Sequence, residues 1–340
     1  MDTTSKASAV PADLFPQRSR FDPLFRNGHL QTIMGRYWPV SLDEARWPTT
    51  ELLFNTEPGV QILAHGNRQA DGSTRGTIVA VHGLTASSQA PYMKTLAQAG
   101  LEAGFDVIRL NVRNCGGTEH LSPTLYHSGL TVDLARIVEQ LAPAAVLLAG
   151  FSMGGNMALK LAGEWGECPP AHVAGVCAVS APIELEACAR RLGQSGNRIY
   201  EVRFLRALRA TLRRKQALRP KDFSALRMDG IESIYEFDDR ITAPAFGFRN
   251  ASHYYEESSS SRFLPSVRVP ALLLQAKDDP FIPFGVFGHR CFAENRHLHL
   301  AAEDHGGHLA FLSRGASRFW AIEQAVQFFL ALSRQQSRTN

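Results

Sequence analysis

Ala144-Ala145-Val146-Leu147-Leu148-Ala149-Gly150-Phe151-Ser152-Met153-Gly154-Gly155 decides the fold. The apolar run reads as a buried strand, and it passes directly into Gly-x-Ser-x-Gly. A serine on so sharp a turn between strand and helix holds a strained backbone. That leaves room only for small residues two positions to either side, here Gly150 and Gly154. Met153 to Ala162 then predicts a helix lying close on the sheet, and the turn presents the Ser152 hydroxyl at its N-terminus.

A neutral hydroxyl is a poor nucleophile, so Ser152 calls for a general base and a carboxylate to orient it, in the chain order Ser, acid, His. Pro270 to Ala276 reads as a second buried strand and ends in Lys277-Asp278-Asp279-Pro280-Phe281-Ile282-Pro283. Acids at the carboxyl end of a parallel strand share the sheet edge with Ser152. Asp279, four residues before Pro283, is the favoured acid and Asp278 the alternative; the unused aspartate is expected to cap a helix or pair with an arginine. Arg296 to Ala301 alternates as a half-buried strand before the loop Glu303-Asp304-His305-Gly306-Gly307-His308. The paired glycines free that loop to carry His308 over Ser152; His308 is the expected base, His305 the alternative, and Leu309 to Leu312 is expected to start the closing helix.

Negative charge developing on a substrate oxygen needs backbone N–H donors. The buried strand Thr77 to Val81 runs into His82-Gly83-Leu84-Thr85, which makes the Leu84 and Met153 amides the expected oxyanion-hole donors, with His82 structural. His65-Gly66, at the end of an early hairpin strand, receives no role.

Outward from these motifs, Leu52 to Thr56 and Val60 to Ala64 flank Pro58-Gly59 as a hairpin. Strands at Thr77, Phe105, Ala144, Val173, Pro270 and His297 then alternate with helical stretches. This is the pattern of a mostly parallel central sheet flanked by helices. The rhythm breaks between Pro182 and Pro265, where a cap fits. The expected organisation is an N-terminal extension packed on the core (1–50), the first part of the core (51–182), a helical cap insertion (183–264) and the second part of the core (265–340).

Ala189 to Lys221 carries eleven Arg or Lys and one acid, a net +10, in a chain whose total is +4, so the remainder is −6. Val202, Leu205, Leu208 and Leu212 recur there at helical spacing, which predicts a basic amphipathic helix. Its charge reads as a solvated face partly neutralised by Glu236, Asp238 and Asp239, or more sharply as a contact for anionic membrane or acidic substrates. Nucleic acid fits poorly, because aromatic interleaving and a binding motif are both missing.

A chain of 340 residues, 44% apolar and 20% charged, can bury the core of one large α/β domain with an insertion. No apolar stretch reaches membrane-span length and the first twenty residues lack the apolar core of a signal peptide, so the expectation is a soluble, cytoplasmic protein. Cys115, Cys168, Cys177, Cys188 and Cys291 are odd in number and lack Cys-x-x-Cys spacing, and read as reduced thiols. His-Glu-x-x-His is absent, so neither metal nor other cofactor is implied.

Further motifs carry a resemblance. Phe21-Asp-Pro-Leu-Phe-Arg-Asn27-Gly28-His29-Leu30-Gln31-Thr32-Ile33, Asn111-Val-Arg113-Asn-Cys-Gly116-Gly117-Thr118, Tyr126-His127-Ser128-Gly129, Phe237-Asp238-Asp239-Arg-Ile-Thr242, Tyr254-Tyr255 and Gly306-Gly307-His308 resemble the YheT-like group of α/β-hydrolases, the AB hydrolase 4 family. The match runs from about residue 20 to residue 330. It implies an α/β-hydrolase fold and a Ser-Asp-His hydrolase of carboxylic esters, with relatives similar to acylglycerol lipases, phospholipases and medium-chain acyltransferases. Carried over by position, the triad falls on Ser152, Asp279 and His308. Asn114 departs from the usual glycine after the arginine. Asp22, Asn27 and His29 are expected to organise the N-terminal segment, Thr131 or Asp133 to cap a helix, and Ser258 to Ser261 to form a hinge or loop.

The expected function is cleavage of short- to medium-chain or lipid-like carboxylic esters through an acyl-enzyme, with a small-molecule ester as substrate. Acyl transfer to an alcohol, and a ligand-binding homologue without chemistry, are the alternatives. A dehalogenase of this fold would need an aspartate at position 152, and a peptidase a much larger gating domain.

Overall fold

Six parallel strands form the body of one eight-stranded sheet: β3 (Thr77–Val81), β4 (Asp106–Leu110), β5 (Val146–Phe151), β6 (Val173–Val179), β7 (Ala271–Ala276) and β8 (Leu298–Glu303). The hairpin β1 (Thr50–Glu57) and β2 (Val60–Asn67) extends it antiparallel along β4, giving the order β1-β2-β4-β3-β5-β6-β7-β8. This computed structural model describes residue 15 and residues 19–339; residues 1–14 and 16–18, with them most of the stretch read for a signal peptide and part of the expected 1–50 extension, lie outside the described residues.

Every residue of β3, β5 and β7 is buried, as strands covered on both faces require. Successive side chains enter opposite cores. Val79 and Val81 pack with α3 (Val132–Gln140) and α4 (Met153–Trp165), whereas Ile78 and Ala80 pack with α2 (Pro91–Glu102) and the C-terminal helix Trp320–Thr339. The chain leaves β3 for β4 on one side and returns to β5 on the other, so a crevice opens at the carboxyl ends of β3 and β5. Ser152 and the His82-Gly83-Leu84 loop both stand there.

Between β6 and β7 the described chain is largely helical: α5 (Leu185–Leu192), α6 (Arg198–Leu218), the helix Ala251–Ser258, and shorter turns that include Ile234–Phe237. Leu205, Leu208 and Leu212 of α6 pack with Ile231, Ile234, Tyr254 and Tyr255 in a core of their own. Asn156 of α4 ties the returning chain down, donating to Ser128 O and Ser258 O at 2.9 Å each and accepting from Ser260 N at 2.8 Å. Ser258 ends a helix and Ser260 begins a short 3-10 turn, both buried.

Three expectations are corrected. Leu309 to Leu312 does not start the closing helix: Leu309 and Phe311 have φ of 68° and 41°, Leu312 bridges Phe319, and the helix begins only at Trp320. Neither Thr131 nor Asp133 caps α3 through its side chain. Asp133 is instead held by Arg113 (2.6 Å to Nε) and Thr56, and Thr131 donates to Glu164 at 2.6 Å. Finally, Glu236, Asp238 and Asp239 form no ion pair with the basic segment among the described residues; they accept instead at the Ser233 cap, from Thr242 and Tyr255, and from Ala251 N, and the segment's own pairs are Arg190 with Glu186, Arg214 with Glu119 and Arg219 with Asp222. Among the described residues no helix is long and apolar enough to cross a membrane.

Candidate active site

Ser152 joins β5 to α4 with φ 52° and ψ −121°, a conformation that a side chain other than glycine adopts only when its surroundings impose it. Its N–H donates to Val179 O at 2.9 Å. A Cβ at position 150 would strike Gly154 and Gly155, and one at position 154 would strike the backbone of Val81 and His82. The flanking glycines are therefore fixed by close approach of backbone to backbone.

His308 Nε2 lies 2.9 Å from Ser152 Oγ, and His308 Nδ1 lies 2.8 Å from Asp279 Oδ2. Asp279, 3% exposed, also accepts from Phe281 N (2.8 Å), Ile282 N (3.2 Å) and Gln275 Nε2 (3.3 Å). A carboxylate only accepts, so the imidazole proton belongs on Nδ1, which leaves the Nε2 lone pair facing the serine hydroxyl. The alternatives Asp278 and His305 are brought to each other instead, at 3.4 Å, and Asp278 accepts from Gly307 N at 2.9 Å. Asp278 thus neither caps a helix nor pairs with an arginine; partial burial raises its carboxyl pKa.

Leu84 and Met153 line the same cavity as Ser152 and His308, and neither amide N–H meets an acceptor among the described residues. His82 supports the loop that carries Leu84. It is fully buried, its Nε2 accepts from Val112 N at 3.1 Å, Nδ1 contacts Gly83 O at 2.7 Å, and burial holds it down at about 4, hence neutral.

The cavity encloses about 800 Å³ of empty space, its mouth included, and its walls are mainly apolar, with Leu185, Leu192, Phe204, Leu208, Phe237 and Phe281 among them. Asp238 and His127 are among the polar groups that interrupt them. Asp238 accepts from Tyr255 OH and Thr242 Oγ1 at 2.7 Å each, and burial raises it to about 6. His127 stands among Phe246, Phe248 and Tyr254, with ring centroids 4.5, 5.5 and 5.7 Å away, and accepts from Gly129 N at 3.2 Å. Burial, reinforced by Lys160 and Arg113, holds its imidazole down at about 3.

The sequence profile described as the alpha/beta hydrolase fold matches residues 76–314. The putative esterase YheT of Escherichia coli is 30% identical over 91% of this chain and 92% of its own. The chain belongs to the YheT-like α/β hydrolases. The phospholipase ABHD3 of Mus musculus is 31% identical over 71% of this chain, which spans 60% of that relative's length. Among solved structures, the Pyrococcus furiosus esterase Pf2001 superposes with a TM-score of 0.56 at 16% identity, covering 85% of this chain and 95% of that one, a likeness of fold.

In this YheT-like hydrolase the N-terminal motif supports the loops that carry the acid and the histidine. Asn27 caps α1 (Gly28–Tyr37) by accepting from Leu30 N at 2.9 Å, and the bare Gly28 lets α1 sit against Asp278. Thr32 Oγ1 accepts from His308 N at 2.8 Å and donates to Gly28 O at 2.7 Å. Gln31, fully buried, grips Leu312 through both its N–H (2.9 Å) and its carbonyl (3.0 Å). Motif reading gave Thr32, Gln31, His127 and Asp238 no chemistry, although each stands in a stretch that carried the family resemblance. Periodicity and spacing hold no signal for Thr32, Gln31 and His127, whose contacts with His308, with Leu312 and with Phe246, Phe248 and Tyr254 join residues more than a hundred apart in sequence, and Asp238, held locally by Thr242 and Tyr255, is marked only by its burial in the cavity wall.

Proposed function

We propose that the chain is a carboxylic ester hydrolase that works through Ser152, His308 and Asp279. The observation that carries this reading is the unbroken hydrogen-bonded series Ser152–His308–Asp279 at the wall of a largely apolar cavity. Ser152 Oγ attacks the ester carbonyl while His308 Nε2 takes its proton, and Asp279 holds the tautomer and stabilises the imidazolium. The Leu84 and Met153 amides receive the oxyanion, a contribution of about 3 kcal/mol per donor in well-studied cases. The alkoxide leaves with the proton from His308, and water then releases the acyl group by the same route reversed. The apolar walls suit a short- to medium-chain or lipid-like acyl group.

Treatment with a fluorophosphonate, followed by peptide mapping, tests the assignment. A single adduct on Ser152, lost in Ser152→Ala and in His308→Ala, is expected. An adduct elsewhere, or none in the native chain, removes the serine mechanism. Running the ester assay with ethanol present separates hydrolysis from acyl transfer by its products.

A further inference from the structure

Helix α1 is built inside out. Its inward positions Gly28 and Gln31 are buried and Thr32 reaches the His308 loop, so its inner face is polar or bare. Its outer face carries Leu30, Ile33 and Tyr37, which are 42%, 43% and 72% exposed and follow one another at steps of three and four residues. A globular helix ordinarily shows the reverse arrangement.

The first turn of α6 continues this surface. Ile199 is 82% exposed, and the next residue, Tyr200, stacks on His29 of α1 with ring centroids 5.7 Å apart and its hydroxyl 3.2 Å from Nδ1. Leu30, Ile33, Tyr37 and Ile199 are four of the six large apolar side chains that stand exposed among the described residues, the other two being Leu53 and Leu218. Apolar exposure gathered on two helices that touch through His29 and Tyr200 marks an interaction site, whereas single exposed residues do not.

The exposed charges on these two helices have one sign. Arg36, Arg198, Arg203 and Arg206 are exposed on these two helices, and none has a carboxylate partner among the described residues. Helix α1 contains no acid, and the acid of α6, Glu201, is buried and accepts from Ile234 N at 3.1 Å. Arg36 and Arg203 are close enough that, beyond the effect of burial, Arg36 lowers the Arg203 pKa. A second copy docked about a two-fold axis would set these arginines against themselves, which like-charge repulsion disfavours. Apolar side chains with a tyrosine, ringed by arginine, suit the boundary between acyl chains and anionic headgroups.

We propose that the outer faces of α1 and of the first turns of α6 dock this chain on an anionic lipid bilayer. The placement bears on the site, because α6 also lines the cavity from its inner face through Phe204 and Leu208. Tyr200 packs on Phe281 at 4.7 Å, and Phe281 packs on His308 at 4.5 Å. The docking surface thus lies two aromatic rings from the histidine, and a molecule leaving the bilayer has a short way to travel. The expectation of a membrane contact spread over the basic segment 189–221 narrows to its N-terminal end together with α1.

The test is flotation of the full chain, as Ser152→Ala, with vesicles of phosphatidylglycerol and phosphatidylcholine and with vesicles of phosphatidylcholine alone. Binding to the anionic vesicles only, released by added salt, is expected. Ile33→Ser with Ile199→Ser, and separately Arg36→Glu with Arg203→Glu, should each lower partitioning by about tenfold or more. Leu53→Ser with Leu218→Ser should leave it unchanged. In chains that keep Ser152, these variants should hydrolyse a soluble short-chain ester at the native rate, which verifies their fold. Failure to bind vesicles, or binding that the α1 and α6 variants do not weaken, overturns the proposal. Lipid-free self-association in sedimentation that Ile33→Ser with Ile199→Ser abolishes also overturns it, assigning the patch to a second copy. Vesicle binding by Ser152→Ala is read without chemistry, so loss of the docking proposal and loss of the ester hydrolase reading are distinguishable.

Discussion

Asp278 and Asp279 are chemically identical neighbours, and what separates them is the backbone that carries them. Asp279 turns inward, where Phe281 N and Ile282 N fix one oxygen and His308 Nδ1 meets the other. Asp278 turns to the Gly307 amide and to His305, and its backbone carbonyl packs against the bare Gly28. On the proposed mechanism Asp279→Asn should lower kcat by about a thousandfold to ten-thousandfold with little change in KM, because it disfavours the productive imidazole tautomer. Asp278→Asn should cost less than about tenfold, since a neutral amide still accepts from Gly307 N. Steady-state kinetics on one soluble ester compares the two, and equal losses would contradict the division of labour. The serine, the acid and the histidine were legible in sequence because a strained turn needs glycine and a strand end leaves a signature. The hydrogen bonds that settle which aspartate faces inward carry none.

At the scale of elements, every strand start expected from apolar runs lies within a few residues of an observed strand, from Thr50–Glu57 to Leu298–Glu303. Strands buried on both faces leave a composition that reads directly. The region after His308 was misread for the opposite reason. Leu309 to Leu312 is apolar because it packs beneath α1 and the C-terminal helix, and Gln31 holds Leu312 in an irregular backbone that competes with helix formation. Apolar character alone does not distinguish these cases. Helix α1 has a consequence for catalysis that can be measured. Thr32→Val removes the acceptor of the His308 N–H, and an unsatisfied buried amide costs about 1–3 kcal/mol. The expected result is a lower melting temperature and a kcat reduced by about tenfold or more, both largely restored by Thr32→Ser, which keeps the oxygen. A kcat unchanged in Thr32→Val would detach α1 from the positioning of the histidine.

The helices inserted between β6 and β7 and the sheet beneath them meet around one cavity, so groups sealed there tie the stability of the whole molecule to pH. His127 is held neutral at about 3, by burial first and by Lys160 and Arg113 after it, whereas the unfolded chain returns it to the ordinary histidine value near 6.5. Between those two values the unfolded state binds more protons than the folded state, so unfolding free energy must fall as pH falls through that window. Above pH 6.5 both states carry a neutral imidazole and the contribution is complete. His127→Phe keeps a ring among Phe246, Phe248 and Tyr254 and removes the titration, while His82, held at about 4, titrates alike in both chains and cancels in the comparison. Urea unfolding from pH 7 down to pH 4 should therefore show the native chain losing stability more steeply than His127→Phe, by up to about 1.4 kcal/mol per pH unit. Parallel curves would mean that His127 is protonated in the folded chain, with its charge hydrated from the cavity. The difference between the curves thus measures how dry the space between insertion and sheet is, and in a dry space the Ser152–His308–Asp279 hydrogen bonds are at their strongest.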